Sequence, residues 1–373
     1  MEGWKISKKT LKVVLLSITV MIAVAMLVSA WGGLVDPHKS RLLPLATLAM
    51  PIVLMVNLAV ALAWLCVLRW KYALIPLVAV LISWSPVSTV FPITIFHKSA
   101  DDAVTFKVMT FNVANFGEYN PSNHNPSKSM RYILDEDVDF VLLQEGSQER
   151  DYLRLSNIEM MSDELKQKYP YHSDGNRDLM ILSKYPYTVV PDSSFADNAN
   201  PNIDVYKKAF DINLPNGKLL RIVNLHLRSF GMGENDKNLY ADITRYGVNV
   251  NEHSELQNIK RSLFDKLNRA FRYHALEAVV VRSLIDNSPA NLIVCGDFND
   301  TPSSYCYRTI CGSDMRDTYK DCGTGLTYTF HDRRLFFKID HILYRGEMEA
   351  VDWYRDKAGD SDHYPQVATF VWK

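Results

Sequence analysis

The first hundred residues contain three long stretches without a charged side chain. Val13 to Trp31 gives 19 such residues, Leu42 to Leu68 gives 27, and Tyr72 to about Val90 forms the third. A helix of about 20 apolar residues crosses the roughly 30 Å hydrocarbon core of a bilayer. Residues 1–100 are therefore predicted to form a membrane anchor with three transmembrane helices, at about 13–31, 42–68 and 72–90.

The positive charges of the connecting segments predict an orientation, because short cytoplasmic segments carry an excess of Lys and Arg. Four lysines precede the first stretch, and Arg69 and Lys71 separate the second from the third. Only Lys39, Arg41 and Lys98 fall on the other side. We therefore expect a multi-pass protein of the inner (cytoplasmic) membrane, with the N-terminus inside and everything after residue 100 extracytoplasmic.

A signal peptide is the alternative for the first stretch. The sequence from Val28 to Ala30 resembles a small-residue cleavage site after an apolar core. An uncleaved anchor is preferred because the apolar run is longer than a usual signal sequence. Both interpretations place the remaining domain outside the cytoplasm.

The charge is distributed unevenly along the 373 residues, although the whole chain has a net charge of −1. Residues 1–100 contain nine Lys and Arg and two acids, which leaves 32 basic and 40 acidic side chains in residues 101–373, a net of −8. Dedicated duplex-DNA binders usually have the opposite sign. The 273 residues of this second domain are enough to bury a large core.

Short apolar strands that end in polar residues recur through this second domain. A long helix is predicted from about Leu256 to Ile285, where apolar residues recur at helical spacing. Asn216-Gly217 lies between two strand-like runs and predicts a hairpin. The predicted strands are 106–113, 138–143, 179–183, 209–214, 218–227, 292–295, 336–344 and 366–372.

The polar residues at the strand ends are mostly oxygen ligands. This composition favours Mg²⁺, with Mn²⁺ as the alternative, over Zn²⁺. The chemistry that it predicts is hydrolysis of a phosphate ester by an activated water. Each residue alone is typical of a turn or a cap, so the inference depends on the ordered set. That set is Asn112, Glu145, His226, Asp297, Asn299, Asp340, Asp362 and His363.

The ordered set resembles the endonuclease/exonuclease/phosphatase superfamily, over about residues 104–373. The matching segments are Thr110-Phe111-Asn112-Val113, Leu143-Gln144-Glu145, Val223-Asn224-Leu225-His226-Leu227, Gly296-Asp297-Phe298-Asn299, Ile339-Asp340-His341-Ile342 and Ser361-Asp362-His363. The long helix leading into Gly-Asp-Phe-Asn-Asp-Thr-Pro is similar to membrane-anchored members from Bacteroidetes-type bacteria. The resemblance implies a deoxyribonuclease-I-like fold, a four-layered α/β/β/α sandwich.

The resemblance also implies a metal site. Glu145 would be the main Mg²⁺ ligand, and Asn112 beside it would bind the metal or the phosphate. Asp362 would complete the metal site as a ligand or would hold one of the ligands in place. His341 follows Asp340 at a position where Tyr or Phe is common in the family, and this departure removes no catalytic group.

Catalytic roles for the other residues follow from the same resemblance. Asp297 would orient or deprotonate the attacking water, and Asn299 would hold the scissile phosphate. His363 would stabilise the developing charge, with its ring held by Asp340. His226 would donate to the phosphate or protonate the leaving oxygen.

The function predicted from the sequence is a membrane-anchored, Mg²⁺-dependent phosphoesterase. Nucleic acid and phospholipid both remain open as the phosphate-ester substrate, and no protein partner can be inferred. A phospholipid or sphingomyelin-type phosphodiesterase is one alternative, and a non-enzymatic anchored binding protein that kept the fold is another. One disulfide among Cys306, Cys311 and Cys322 and three free thiols are both compatible with the sequence.

Overall fold

The computed structural model describes residues 7–94, 104–116, 127–146, 163–173, 178–191, 203–231, 253–333 and 335–373. The predicted domain boundary at residue 100 lies outside these residues and stays a prediction. All five cysteines lie within them, and each is a free thiol.

The N-terminal unit is helical, but it is more broken than the sequence predicted. One helix, α1 (Lys8–Trp31) with a 3₁₀ turn to Leu34, is long and apolar enough to cross a membrane. The third predicted span is a pair of helices bent by 76°, which would give a second span if the pair counts as one. Three spanning helices are therefore not confirmed within the described residues. The helices after α1 are α2 (Leu43–Leu48), α3 (Met50–Cys66), α4 (Trp70–Ile82) and α5 (Trp84–Val90).

Proline accounts for the break inside the second predicted span. Pro51 has no backbone N–H, so it cannot donate to the carbonyl four residues earlier, that of Thr47. The chain leaves α2 at Ala49 and begins α3 at Met50. The Thr47 carbonyl instead accepts a hydrogen bond of 2.9 Å from the Ser303 hydroxyl of the second domain.

The second domain contains two six-stranded mixed sheets. Sheet one has the strand order β13-β14-β1-β2-β4-β3, and sheet two has the order β5-β6-β7-β8-β12-β9. Strands β10 and β11 form a separate hairpin. The strands are β1 (Thr105–Asn112), β2 (Phe140–Gln144), β3 (Tyr171–His172), β4 (Met180–Ser183), β5 (Tyr187–Val190), β6 (Tyr206–Asn213), β7 (Leu219–His226), β8 (Leu292–Asp297), β9 (Arg316–Asp317), β10 (Phe330–Asp332), β11 (Leu335–Phe337), β12 (Asp340–Arg345), β13 (Met348–Arg355) and β14 (Gln366–Trp372).

The sheets pack face to face, with helices outside. Buried side chains of both sheets, such as Phe140 and Ile293, form the central core. Two further clusters join sheet one to α6 and α7 and sheet two to α8 and α9. The predicted four-layered α/β/β/α sandwich is thus present. The helices of this domain are α6 (Lys128–Asp135), α7 (Asp163–Lys168), α8 (His253–Asp286), α9 (Tyr305–Cys311) and α10 (Thr318–Cys322).

The single strand predicted over 336–344 is wrong. Its first part, β11, pairs with β10, whereas its second part, β12, lies between β8 and β9. The backbone N–H groups of Ile339 and Asp340, at the break, both donate to the Thr329 hydroxyl at 3.1 Å. This side chain supplies the acceptor that a continuous sheet would otherwise provide.

The helical unit is docked on the second domain by polar contacts. Arg308 donates from Nη2 to the carbonyl of Ala30, in the last turn of α1, at 2.8 Å. Gly33 lies so close to the domain that a Cβ atom there would be 2.1 Å from the Ser303 carbonyl. The contact surface includes Ser303 and α9, which follow β8 directly in the chain.

Replacing Arg308 with Met is expected to destabilise the solubilised chain by about 1–3 kcal/mol, because the Ala30 carbonyl loses its charged donor while the apolar stem is kept. Thermal unfolding of the full chain measures the change. Arg261→Met, at an exposed position of α8, is the control and should leave the melting temperature unchanged. Equal melting temperatures for the two variants would contradict the assigned contact.

Candidate active site

The predicted site residues meet at one edge of the two sheets. β1 runs parallel to β2, and β7 runs parallel to β8, so their carboxyl ends lie side by side. Asn112, His226 and Asp297 are the last residues of β1, β7 and β8, and Glu145 directly follows β2. Asp340 begins the antiparallel β12 and pairs in register with Asp297.

Asn112 joins the carboxylates of the two sheets. Its Nδ2 donates to Glu145 Oε1 and to Asp297 Oδ2, both at 3.1 Å. Its Oδ1 accepts from the backbone N–H of Ala114 at 3.1 Å. The amide nitrogen of Asn112, and not its oxygen, thus faces the carboxylates, so this side chain fixes the position of Glu145 relative to Asp297.

His363 lies between two buried carboxylates. Its Nδ1 is 3.0 Å from Asp340 Oδ2, and its Nε2 is 3.7 Å from Asp297 Oδ2. The Ser361 hydroxyl accepts from the His363 N–H and donates to the Asn112 carbonyl, which ties this loop to β1. The Asp340 contact fixes the ring orientation of His363.

Burial and neighbouring charges shift the pKa values of this trio in different directions. Burial, followed by the charge of Asp340, raises the pKa of Asp297 above its usual range. Burial would also raise the pKa of Asp340, but the charge and hydrogen bond of His363 lower it. Burial alone would lower the pKa of His363, yet the two carboxylates raise it. Asp297 is therefore the carboxylate of the pair that more readily accepts a proton.

His226 and Asn299 complete the polar group. His226 Nε2 is 3.7 Å from Glu145 Oε1 and 3.9 Å from Asp297 Oδ2. The Asn299 backbone N–H donates to Asp297 Oδ1 at 2.8 Å, and its Nδ2 donates to the Leu227 carbonyl at 2.9 Å. Both residues thus border Asp297, His226 with its ring and Asn299 with its backbone N–H.

Two site residues have left-handed backbone conformations. Glu145 has φ 52° and Asn299 has φ 49°. A positive φ costs free energy in a residue other than glycine, and such residues cluster at functional sites. The chain turns sharply immediately after β2 and β8, which directs both residues into the site.

Five of these site residues line a cleft of about 290 Å³, namely Glu145, His226, Asp297, Asn299 and His363. Asp362 lines the same cleft, and its backbone carbonyl accepts from the His331 N–H at 2.8 Å. The sequence did not predict the apolar part of the wall, which the β10–β11 hairpin largely supplies. The apolar lining residues are Phe230, Phe330, Leu335, Phe337 and Ile339.

The donor set fits a hard divalent cation. Asp297, Asp340 and His363 form a buried group whose candidate ligand atoms lie within 4.8 Å of one another. The Glu145 carboxylate, about a third exposed, stands beside this group and opens to the cleft. Carboxylate oxygens are the ligands that Mg²⁺ and Mn²⁺ prefer. The group differs from the predicted set of Asn112, Glu145 and Asp362, of which Glu145 and Asp362 line the same cleft as Asp297 and His363.

The model of the endonuclease/exonuclease/phosphatase family matches residues 109–363, which include every residue of the site. The chain belongs to the endonuclease/exonuclease/phosphatase family. Its members typically hydrolyse phosphoester bonds and generally depend on divalent metals. A second model, described as a domain of unknown function (DUF8431), matches residues 11–90. No curated protein matches the chain.

Several solved structures of the family are similar to this chain. A family protein from Bacteroides thetaiotaomicron has 15% identity and a TM-score of 0.45, over 73% of this chain and 99% of its own. One from Bacteroides vulgatus has 20% identity and a TM-score of 0.41, over 72% and 100%. The human Nocturnin catalytic domain has 15% identity and a TM-score of 0.43, over 72% and 95%.

Proposed function

We propose that this protein is a membrane-anchored, metal-dependent phosphoesterase that hydrolyses its substrate with an activated water. One observation carries the proposal. The carboxylate of Asp297 is buried at the meeting point of both sheets, in contact with Asn112 and next to His226 and His363. Such an arrangement of a carboxylate and two imidazoles at the floor of a cleft supports acid–base chemistry on a phosphate ester.

Asp297 accepts the proton of the attacking water. Burial and the charge of Asp340 raise its pKa, which makes the carboxylate a better base. The Asn299 N–H donates to Oδ1 at 2.8 Å, while Oδ2 accepts from Asn112 Nδ2 at 3.1 Å and lies next to the Nε2 atoms of His226 and His363. Asn299 holds the scissile phosphate beside this oxygen.

His363 stabilises the charge that develops on the phosphoryl oxygens. The carboxylates of Asp340 and Asp297 outweigh burial and raise the pKa of its ring, which favours the charged form. Asp340 holds Nδ1, so Nε2 points towards Asp297 and the substrate. His226, on the other side of Asp297, donates a proton to the leaving oxygen.

Because Asp297, Asp340 and the charged His363 ring serve the acid–base chemistry, Glu145 and Asp362 would hold the divalent cation in the cleft beside them, and Asn112 would orient the Glu145 carboxylate. When bound, Mg²⁺ or Mn²⁺ polarises a phosphoryl oxygen and lowers the pKa of a bound water. The cleft-facing carboxylates supply the negative charge that such an ion requires.

Replacing Glu145 with Gln is expected to lower kcat at saturating Mg²⁺ by at least about 100-fold, because the amide keeps the size of the side chain but loses its charge. Titration of hydrolysis against Mg²⁺, with an EDTA blank, is the measurement. Glu164→Gln on the exposed face of α7 is the matched control. Full activity of Glu145→Gln at the wild-type Mg²⁺ requirement would remove Glu145 from the metal site.

A phospholipid phosphodiesterase is the second candidate. The short separation between the cleft and the helical unit favours it. Asn299 in the cleft is four residues from Ser303, which contacts the helical unit through Thr47. Four residues span at most about 14 Å. An anchored helix would therefore hold the cleft close to lipid headgroups, and the apolar lining of the cleft suits a lipid substrate.

The experiment tests plasmid DNA, sphingomyelin and phosphatidylcholine vesicles, and inositol phosphates in parallel, with the full chain and Mg²⁺. His363→Ala is the blank. Nicked plasmid that is lost in the blank would identify a nuclease, and headgroup release with intact DNA would identify a lipid phosphodiesterase. No turnover on any of the three would favour the binding-protein alternative and overturn the proposed function.

The anchoring and its side are part of the proposal. α1, with Lys8, Lys9 and Lys12 at its N-terminal end, supports an anchor whose N-terminus is cytoplasmic. With α1 as the one crossing helix, or with the three predicted spans, the catalytic domain lies outside the cytoplasm, whereas two spans would return it to the cytoplasm. Protease added to intact and to lysed spheroplasts tests this, because an extracytoplasmic domain is cut without access to the cytoplasm. Protection of the domain in intact spheroplasts would contradict it.

A further inference from the structure

Both backbone polar groups of Arg228 are held by side chains of the long helix α8. The Arg228 N–H donates to the Glu277 carboxylate at 3.3 and 3.4 Å. The Arg228 carbonyl accepts from His274 Nε2 at 2.6 Å. His274 and Glu277 are three residues apart and therefore lie on one face of the helix. Arg228 is the second residue after the end of β7, so these side chains supply the backbone partners that the sheet no longer provides.

His274 also holds the loop that follows β8. Its Nδ1 is 3.2 Å from Asp300 Oδ2, and the Asp300 backbone carbonyl accepts from His341 Nε2 at 3.0 Å. One ring thus contacts two loops of the cleft, 227–231 after β7 and 298–302 after β8. His341 therefore takes part in this network, which gives the departure from the family pattern a structural role.

The two partners of His274 determine its protonation. A backbone carbonyl and a carboxylate only accept hydrogen bonds, so both ring nitrogens must carry a proton. The ring is fully buried and is therefore a buried imidazolium. Burial alone would lower the pKa of His274, but the hydrogen bond and charge of Asp300 raise it. Glu277 and Asp300 are the acidic side chains around this ring, and Arg228 and His226 lie beyond them.

The held segment is linked directly to catalytic groups. The Leu227 N–H donates to the Asp297 carbonyl at 2.9 Å, and the Leu227 carbonyl accepts from Asn299 Nδ2 at 2.9 Å. Phe230 packs edge-on against the His274 ring, with ring centroids 5.1 Å apart, and lines the cleft. A shift of Arg228 would therefore move Asn299 and the cleft wall together.

We propose that His274 and Glu277 are positioning residues for phosphoester hydrolysis, which act by clamping the loops after β7 and β8 in the arrangement that places Asn299 in the cleft. This inference rests on the proposed function. Neither side chain contacts the substrate, and both act through the backbone of Arg228 and through Asp300. Misplacement of a catalytic group by about 1 Å can cost on the order of 100-fold in rate.

The test uses the full chain, Mg²⁺ and the generic diester bis(p-nitrophenyl) phosphate. Glu277→Leu and His274→Gln are expected to lower kcat by about 10–100-fold, with KM changed by less than about threefold. Glu277→Gln keeps an oxygen that accepts from the Arg228 N–H, so it should retain at least about half of the wild-type kcat. His172→Gln, on the edge strand β3 of the other sheet, is the matched control.

Two readouts separate positioning from folding. Thermal unfolding is measured for every variant, and ring ¹⁵N NMR of the wild-type chain reports the protonation of His274. We expect both ring nitrogens to be protonated well above the usual histidine pKa of about 6.5, with the signals absent in His274→Gln. If one variant fails to fold, the kcat of Glu277→Gln and the NMR signal of the wild-type ring still test whether these residues position the loops.

Three results would overturn the inference. The first is a folded Glu277→Leu variant with kcat within twofold of wild type. The second is a His274 ring that is already neutral at the usual histidine pKa of about 6.5. Either result leaves the proposed function intact if the wild-type chain is active. The third is a wild-type chain without turnover on any phosphate ester, which overturns the proposed function and this inference with it.

Discussion

Replacing Asp297 with Asn is expected to lower kcat by about 10²–10⁴-fold, the range that a general base contributes. The amide has nearly the same shape, so the cleft keeps its form. It cannot take up the proton of the attacking water, and it presents no negative charge to His363, whose Nε2 is 3.7 Å away, or to His226 at 3.9 Å. Steady-state hydrolysis at saturating Mg²⁺ measures the loss.

Asp211→Asn is the matched control for this substitution. Asp211 forms a bidentate ion pair with Arg221 at 2.7 and 2.8 Å, near the opposite end of β7 from His226. Its replacement should cost about 1–3 kcal/mol of stability and leave kcat unchanged. If Asp297→Asn kept more than a tenth of the wild-type kcat while folded, Asp297 would not be the base.

Gly296→Ala is expected to lower the free energy of unfolding by about 3–5 kcal/mol, more than any other substitution considered for stability. Gly296 precedes Asp297 in β8 and has φ 138°, a conformation that side chains of L-residues rarely adopt. A Cβ atom there would lie 2.0 Å from the Leu225 carbonyl oxygen of the neighbouring strand β7. The two central parallel strands would have to separate at the point that carries the site.

Gly217→Ala separates the two parts of this cost. Gly217, in the turn between β6 and β7, also has a positive φ of 78°, but an added Cβ would meet nothing within 4 Å. It should lose only about 1–2 kcal/mol, the cost of the backbone conformation. Chemical unfolding of both variants gives the difference, and equal losses would show that contact with Leu225 is unimportant.

The sequence alone determined much of the sandwich. The final strand is found at the predicted bounds 366–372, and the helix predicted from Leu256 to Ile285 is α8. The Asn216-Gly217 hairpin is confirmed between β6 and β7. These features depend on local patterns, namely alternation, helical periodicity and turn chemistry, which operate within a few residues. The ordered motifs also identified the family.

The tertiary structure decided which residues meet around these motifs. The hydrogen bond from His274 to the Arg228 carbonyl joins residues 46 positions apart in the chain. Part of the strand predicted over 336–344 instead pairs in the β10–β11 hairpin and forms part of the cleft wall. Pro51 breaks the second predicted span locally, but the donor to the Thr47 carbonyl that it leaves free comes from the docked domain, at the Ser303 hydroxyl. A sequence pattern shows that a face or a polar group must be buried, but only the packed chain supplies the distant atom that satisfies it.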